Sequence, residues 1–159
     1  MAMSETAAVQ KVLSRLRNQC SRREYCVSDV REKAMKALDG DEFAAETVVE
    51  SLKRDKYVDD SRYCAAYARE KASISGWGVV KIRYMLSHKG LSREDIDAGI
   101  AGIDEDGASA RLEKLLAAKS RTLKDDPQRK LKVLRFALGR GYQYDEVSAA
   151  LSHIENVEI

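Results

Sequence analysis

The chain has 159 residues, 44% hydrophobic and 34% charged, with a net charge of +2, enough for one ordinary domain or a short array of repeats with a useful core. One proline and abundant Ala, Leu, Glu, Lys and Arg favour helix over strand. Three cysteines without framework spacing (Cys20, Cys26 and Cys64) argue against a disulfide scaffold, no apolar run approaches membrane-spanning length, and the opening MAMSETAAVQ lacks the apolar core of a signal peptide, so the expectation is a soluble, cytoplasmic protein with no membrane contact.

In chain order, residues 5–20 read as a helix with Val9, Val12, Leu13 and Leu16 on its apolar side. After the polar break SRREYC, Ser28 is placed to cap a second helix carrying Val30, Ala34, Met35 and Leu38, ended by Gly40. A third helix carries Val48, Val49 and Leu52 and runs out near Tyr57. Asp59 or Asp60 caps the fourth, with Tyr63, Tyr67 and Ile74 on a shared side, and Gly76 and Gly78 flank Trp77 at the next break. Ile82, Met85, Leu86 and Lys89 follow at helical spacing until Gly90. Ser92 with Asp95 resembles a capping box opening a helix with Ile96, Ile100 and Ile103. The last group begins with Leu112, Leu115 and Leu116. Asp126–Pro127 then reads as a cap followed by proline at the first helical position. Leu131, Val133, Leu134, Phe136 and Leu138 follow, Gly139 and Gly141 close the helix, and a final one carries Val147, Leu151 and Ile154.

The later helices of the second and third groups superpose without gaps at a shift of 51 residues: Ile82 falls on Val133, Lys89 on Arg140, Gly90 on Gly141, Ile96 on Val147, Ile100 on Leu151 and Ile103 on Ile154. The first group fits more loosely. The expected fold is all-α, an elongated array of three tandem three-helix repeats over residues 1–57, 58–104 and 105–159, each packing on its neighbour.

Charge alternates along this array. Residues 40–60 carry seven acids against three bases, 61–90 six bases against one acid, 91–110 six acids against one base, and 111–135 nine bases against three acids. Lys81, Arg83 and Lys89, and in the last repeat Arg129, Lys130, Lys132, Arg135 and Arg140, flank apolar stripes on corresponding helices. A solvated face is the ordinary use of such residues, but their concentration there also suits phosphate or an acidic protein groove. Asp59, Asp60 and Arg62 serve as a helix cap with a local ion pair, as a partner contact, or as both. Tyr63 and Tyr67 read as packing residues. Trp77 is either an exposed anchor for a partner or a cover for a helix end.

Catalytic chemistry has no evident seat. His88 and His153 lack ligand spacing, and Cys20 and Cys26 stand six apart without a second pair, so no metal is expected. There is no phosphate-cradling loop, nucleophile elbow or pair of carboxylates beyond helix caps, so neither a cofactor nor an enzymatic activity is expected.

Three patches resemble the RecX regulators of the RecA recombinase: R-E-Y-C-V-S-D-V-R-E-K-A from Arg23 to Ala34, Y-V-D-D-S-R-Y-C-A-A-Y-A-R from Tyr57 to Arg69, and G-V-V-K-I-R-Y-M-L-S-H-K-G-L from Gly78 to Leu91. The second and third, in this order, are the more specific, and the likeness covers about residues 23–100. Departures from the family pattern are Cys26 for Ser, Ala34 for Leu, Tyr63–Cys64 for Phe-Ala, and Lys81 for Arg, which keeps the charge but loses the planar fork. The resemblance implies a monomer that binds the RecA–DNA filament and restrains it, reaching DNA through the filament. The rival readings are a stand-alone nucleic-acid-binding protein and a helical adaptor unrelated to DNA.

Overall fold

In a computed structural model the chain is described over residues 2–158. Met1 and Ile159, the outer limits of the expected first and third units, lie outside the described residues. Within them are nine helices and no strand: α1 Ala2–Arg22, α2 Val27–Ala37, α3 Glu42–Arg54, α4 Asp60–Ser73, α5 Val79–His88, α6 Arg93–Ala101, α7 Glu105–Thr122, α8 Arg129–Gly139 and α9 Tyr144–Glu158. Asp59 caps α4 by accepting from the Arg62 amide at 3.0 Å, and Ser92 caps α6 by accepting from the Asp95 amide at 3.1 Å.

Two expected starts are corrected. α2 begins at Val27 with Cys26 as its cap residue, and the Ser28 hydroxyl instead donates to the Lys89 carbonyl at 2.6 Å. α8 begins at Arg129 rather than Pro127. The Asp126 carboxylate accepts from the Gln128 amide at 2.8 Å, which closes a local turn ahead of the helix.

Three buried clusters line up with the three groups of helices. Val12, Leu13, Leu16, Val30, Val48, Val49 and Leu52 form the first. Tyr63, Cys64, Ile82, Leu86 and Ile96 form the second, which also takes in Cys26 from the start of α2. Leu112, Leu116, Val133, Ala137 and Val147 form the third. The solvent-accessible surface is 10348 Å², against roughly 8,000 Å² for a compact monomer of this mass. The excess is the signature of an extended array. In the middle unit α4 and α6 pack at very close range because Gly99 has no side chain: a Cβ there would lie 2.8 Å from the Cys64 backbone. The residue 51 positions later is Ala150, which is buried in the third cluster.

The units are joined by one device used twice. The turn after the middle helix of one unit seats on the N-terminus of the middle helix of the unit before it. In the first joint the α5–α6 turn meets α2. The Lys89 carbonyl accepts from Ser28, and the Lys89 ammonium sits 3.0 and 3.2 Å from the two carboxylate oxygens of Asp29. Asp60 adds a bond from the Val27 amide at 2.8 Å, and Arg62 pairs with Glu24 at 2.9 Å. In the second joint the α8–α9 turn meets α5: Gly78 N donates to the Arg140 carbonyl at 2.9 Å and Val80 N to the Gly141 carbonyl at 3.0 Å. Gly141 sits at φ +96°, a conformation that side chains disfavour, and a Cβ at Gly78 would collide with the Gly141 backbone. The recurring basic residue followed by glycine is therefore a joint.

At the first joint, partial burial would by itself raise the Asp29 carboxyl, but hydrogen bonds from Lys89 and from the Cys26 amide outweigh it and hold the group below its ordinary value. Burial would likewise lower Lys89, but the neighbouring Tyr63 and Asp29 oxygens outweigh it and raise the ammonium above its ordinary value. Both groups are charged around neutral pH.

Two measurements check these packing claims. Gly99→Ala should cost about 1–3 kcal/mol by overpacking and lower Tm by about 2–4 °C per kcal/mol. Gly139→Ala, where an added Cβ meets open space, should leave stability unchanged or slightly raised. Equal effects of the two substitutions would contradict the close α4–α6 contact. Asp29→Asn should cost about 1 kcal/mol at neutral pH, discounted for the partly exposed lysine. Because the Asp29 value is depressed in the folded state, its contribution is present above about pH 4 and is lost as pH falls through the folded value. The stability gap between wild type and variant should therefore narrow in acid, as read from denaturant titrations across pH 2–7.

Candidate interaction surface

The residues singled out from the sequence fall into distinct settings. Asp59 is a cap, while Asp60, Arg62 and Lys89 belong to the first joint. Arg140 belongs to the second, where its guanidinium donates to the Ser75 carbonyl at 3.2 Å. Arg62 pairs across units rather than locally, and also donates to the Lys56 and Tyr57 carbonyls at 3.1 and 3.3 Å. Arg83 is engaged by Asp97 at 2.6 Å. In the third unit Lys130 pairs with Glu155 at 2.9 Å and Lys132 with Asp126. Arg129 and Arg135 make no ion pair among the described residues, and Arg135 is exposed.

Trp77 covers a helix end. Its amide donates to the Lys71 carbonyl at 2.9 Å, which folds the loop back over the end of α4. The ring is half-buried beside Tyr67, edge-on at 6.4 Å, and Tyr67 stacks on Tyr63 at 5.8 Å. Two ammonium groups lie over Trp77, Lys81 at 4.3 Å and Lys71 at 4.9 Å from the ring centroid, and Lys71 also reaches Tyr67. The third unit holds this loop in place: the Tyr142 hydroxyl donates to the Gly76 carbonyl at 3.1 Å, beside the Arg140–Ser75 bond.

Lys81 and Trp77 are thus brought together at one end of a longer feature that sequence reasoning did not find. Arg23 is shared by two adjoining hollows. One is lined by Tyr25, Asp29, Lys33, Lys36 and Lys89, the other by Tyr63, Tyr67, Glu70 and Lys71. Arg23 and Lys33 lie over the Tyr25 ring at 4.9 and 5.1 Å. The result is a trough across the first joint, running from Lys36 and Lys33 through Arg23 to Lys71 and Lys81. Of its acids, Glu24 pairs with Arg62, Asp29 with Lys89 and Glu32 with Lys36, while Glu70 makes no ion pair among the described residues. Arg23, Lys33, Lys71 and Lys81 are left resting on aromatic rings, a contact worth about 0.5–1 kcal/mol at exposed sites. A traceable signal exists: an aromatic residue followed four positions later by lysine recurs at Tyr67–Lys71 and Trp77–Lys81. Cations cover the rings, so the trough presents positive charge rather than free stacking faces. Such a surface suits groups of negative charge.

Burial pushes up the thiols of Cys26 and Cys64, the latter to about 12, so neither is a thiolate near neutrality. Among the described residues no cluster of His, Cys, Asp or Glu could hold a metal ion, and no helix is long and apolar enough to cross a membrane.

Comparison with known proteins agrees with this architecture. The family model described as RecX, second three-helix domain, matches residues 59–100, and that described as RecX, third three-helix domain, matches residues 105–151. A protein of Clostridium botulinum (strain Alaska E43 / Type E3) named Regulatory protein RecX is 30% identical over 122 residues, covering 74% of this chain and 57% of the relative. Another of that name, from Yersinia pseudotuberculosis serotype O:1b (strain IP 31758), is 32% identical over 104 residues, covering 65% of this chain and 57% of the relative. The chain spans a little over half the length of these curated relatives. Among solved structures, RecX from Lactobacillus salivarius superposes with a TM-score of 0.84 at 18% identity, covering 94% of this chain and 98% of that one. A second crystal structure, of a regulatory protein RecX, gives 0.84 at 24% identity over 95% of this chain and 75% of that one. Both show the same all-helical fold. With consecutive three-helix units matched in order by both family descriptions, the chain belongs to the RecX family.

Proposed function

We propose that this chain is a non-enzymatic regulator, chiefly an inhibitor, of RecA–DNA filaments. It binds the filament and modulates its ATPase, strand exchange and coprotease activity in recombination, DNA repair and the SOS response. The observation that supports this reading most is the cationic trough across the first joint, which suits a partner carrying negative charge at intervals along a surface. A recombinase filament on DNA is such a partner. Three units, at residues 1–57, 58–104 and 105–159, lie along it in the cytoplasm and reach DNA through the filament.

The mechanism is differential binding: a protein that prefers one filament state shifts the balance toward it. Arg23, Lys33, Lys71 and Lys81, set around Tyr25, Tyr67 and Trp77, meet acids or phosphates of the filament. Arg129, Lys130, Lys132 and Arg135 offer a second contact from the third unit. Asp59, Asp60, Arg62, Lys89 and Arg140 act mainly by keeping the units in register. No cofactor takes part.

The test is RecA ATPase on single-stranded DNA with the Lys33→Ala, Lys71→Ala, Lys81→Ala triple variant. Helical circular dichroism should be unchanged, because exposed changes cost little. The concentration giving half-inhibition should rise by about tenfold or more, equivalent to about 1.4 kcal/mol of lost binding. If phosphates are among the contacts, the salt dependence of binding should also become shallower. Undiminished inhibition both by this variant and by Arg129→Ala, Lys130→Ala, Lys132→Ala would sink a charge-based contact. Tight, salt-sensitive binding to bare DNA with no effect on the recombinase would favour the stand-alone nucleic-acid reading instead.

A further inference from the structure

The second joint carries the same kind of cluster as the first, one unit further along. At the first joint Lys89 lies over the Tyr63 ring at 5.2 Å, Tyr63 stacks on Tyr67, and Lys71 from the last turn of α4 lies over Tyr67 at 5.5 Å. At the second, Arg140 lies over the Phe136 ring at 5.0 Å, and Lys119 from the last turn of α7 lies over the same ring at 4.9 Å. The two lysines hold equivalent places. Cys64 and Ala68, buried in α4, are matched 48 residues on by Leu112 and Leu116, buried in α7, and at that shift Lys71 falls on Lys119. Neither lysine makes an ion pair among the described residues. The rings differ in origin, since Tyr67 comes from α4 and Phe136 from α8, but each joint rests an unpaired ammonium on an aromatic face.

The two clusters touch. The Arg140 guanidinium that covers Phe136 also donates to the Ser75 carbonyl at 3.2 Å, in the loop whose Trp77 ring carries Lys71 and Lys81. The line of cations that begins at Lys33 and Arg23 thus continues past Lys81, through Arg140, to Lys119. Segment 111–135 has nine bases against three acids, and of those acids Glu113 pairs with His153 and Asp126 with Lys132. A line that crosses two joints outruns a single cluster of acidic side chains. With its rings under cations, it offers charge at intervals and no pocket for a particular side chain. Phosphates joined in a strand meet that demand, because they place the same negative charge at every step whatever the sequence.

We propose that the trough continues across the second joint, with Lys119 as a further contact, and that a single strand of nucleic acid lies along it with phosphates on Lys33, Arg23, Lys71, Lys81 and Lys119. This rests on the trough being the contact surface, and it names the group which that surface receives. Arg140 is a positioning residue, holding the third-unit cluster against the Trp77 loop. Removing the Lys119 ammonium therefore takes away one phosphate contact and leaves both joints closed.

Anisotropy of a labelled, mixed-sequence single-stranded oligonucleotide, titrated with the purified full chain over a salt series, decides this. Lys119→Ala should weaken binding by about fivefold at low salt and make the slope of log affinity against log salt shallower by about 0.7, the value for one phosphate on a single strand. Lys119→Arg keeps the charge and should restore both. Lys114→Ala removes an exposed lysine on another face of α7 and should change neither. Helical circular dichroism should be the same for all three variants. The RecA ATPase assay run on the same proteins separates this proposal from the filament reading. Oligonucleotide binding that depends on Lys119, by a wild-type chain without effect on the recombinase, upholds the strand contact and removes the filament reading. Lost inhibition in Lys119→Ala with oligonucleotide affinity unchanged makes the occupant an acidic protein surface and overturns the proposal. So does a wild-type chain that leaves the oligonucleotide unbound at low salt, an unchanged salt slope in Lys119→Ala, or an equal loss in Lys114→Ala.

Discussion

Everything beyond the individual helices depends on how a turn from one unit seats on a helix start in the unit before it. The first four amides of an α-helix have no partner within the helix. At α5 these exposed donors meet the turn that follows the next unit's middle helix, and at α2 they meet Asp60 at the start of α4 and the helix's own Asp29, which Lys89 of that turn holds in place. Val27 N is met by Asp60, Cys26 N by Asp29 under the hand of Lys89, and Gly78 N and Val80 N by the carbonyls of Arg140 and Gly141. A helix end that would otherwise need water is satisfied by the neighbouring repeat. Small residues are required on both sides of the second joint, where Gly78 and Gly141 bring the two backbones together.

The cationic trough is a by-product of these joints. Its two hollows lie on either side of Arg23, where the first unit meets the second. The loop carrying Trp77 is fixed from the far side by Tyr142 and Arg140 of the third unit. Lys71 and Lys81 therefore converge on an indole whose loop the third unit holds in place. The shape of the trough and the order of the repeats are linked, and a lesion in the third unit disturbs a cluster that belongs to the second.

Helical periodicity made the number and kind of elements legible in the sequence, and glycine after a basic residue marked both joints correctly in position. Its meaning was not legible. Lys89 and Arg140 look like surface charge because nothing local consumes them; their partners, Asp29 and the Ser75 carbonyl, lie about sixty residues away. Ser28 failed as a cap for the same reason, since its hydroxyl serves the Lys89 carbonyl of another unit. At Asp126 a strong local signal was real but described a turn two residues ahead of the helix. The trough is assembled from α1, α2, α4 and the Trp77 loop, so no single window of sequence contains it. The Tyr67–Lys71 and Trp77–Lys81 pairs were its only local trace.

Cys26 belongs by position to the first unit and by packing to the second core. A solenoid whose cores were wholly separate would unzip one repeat at a time. A buried side chain lent across the boundary couples the melting of neighbours, because opening the second core strips the cover from the start of α2. The third unit is tied to the second differently, through contact between α4 and α7, the close approach of Gly78 and Gly141, and the bonds of Tyr142 and Arg140 to the Trp77 loop. Protection of backbone amides against exchange with solvent should therefore be shared between the start of α2 and the second core as one cooperative block.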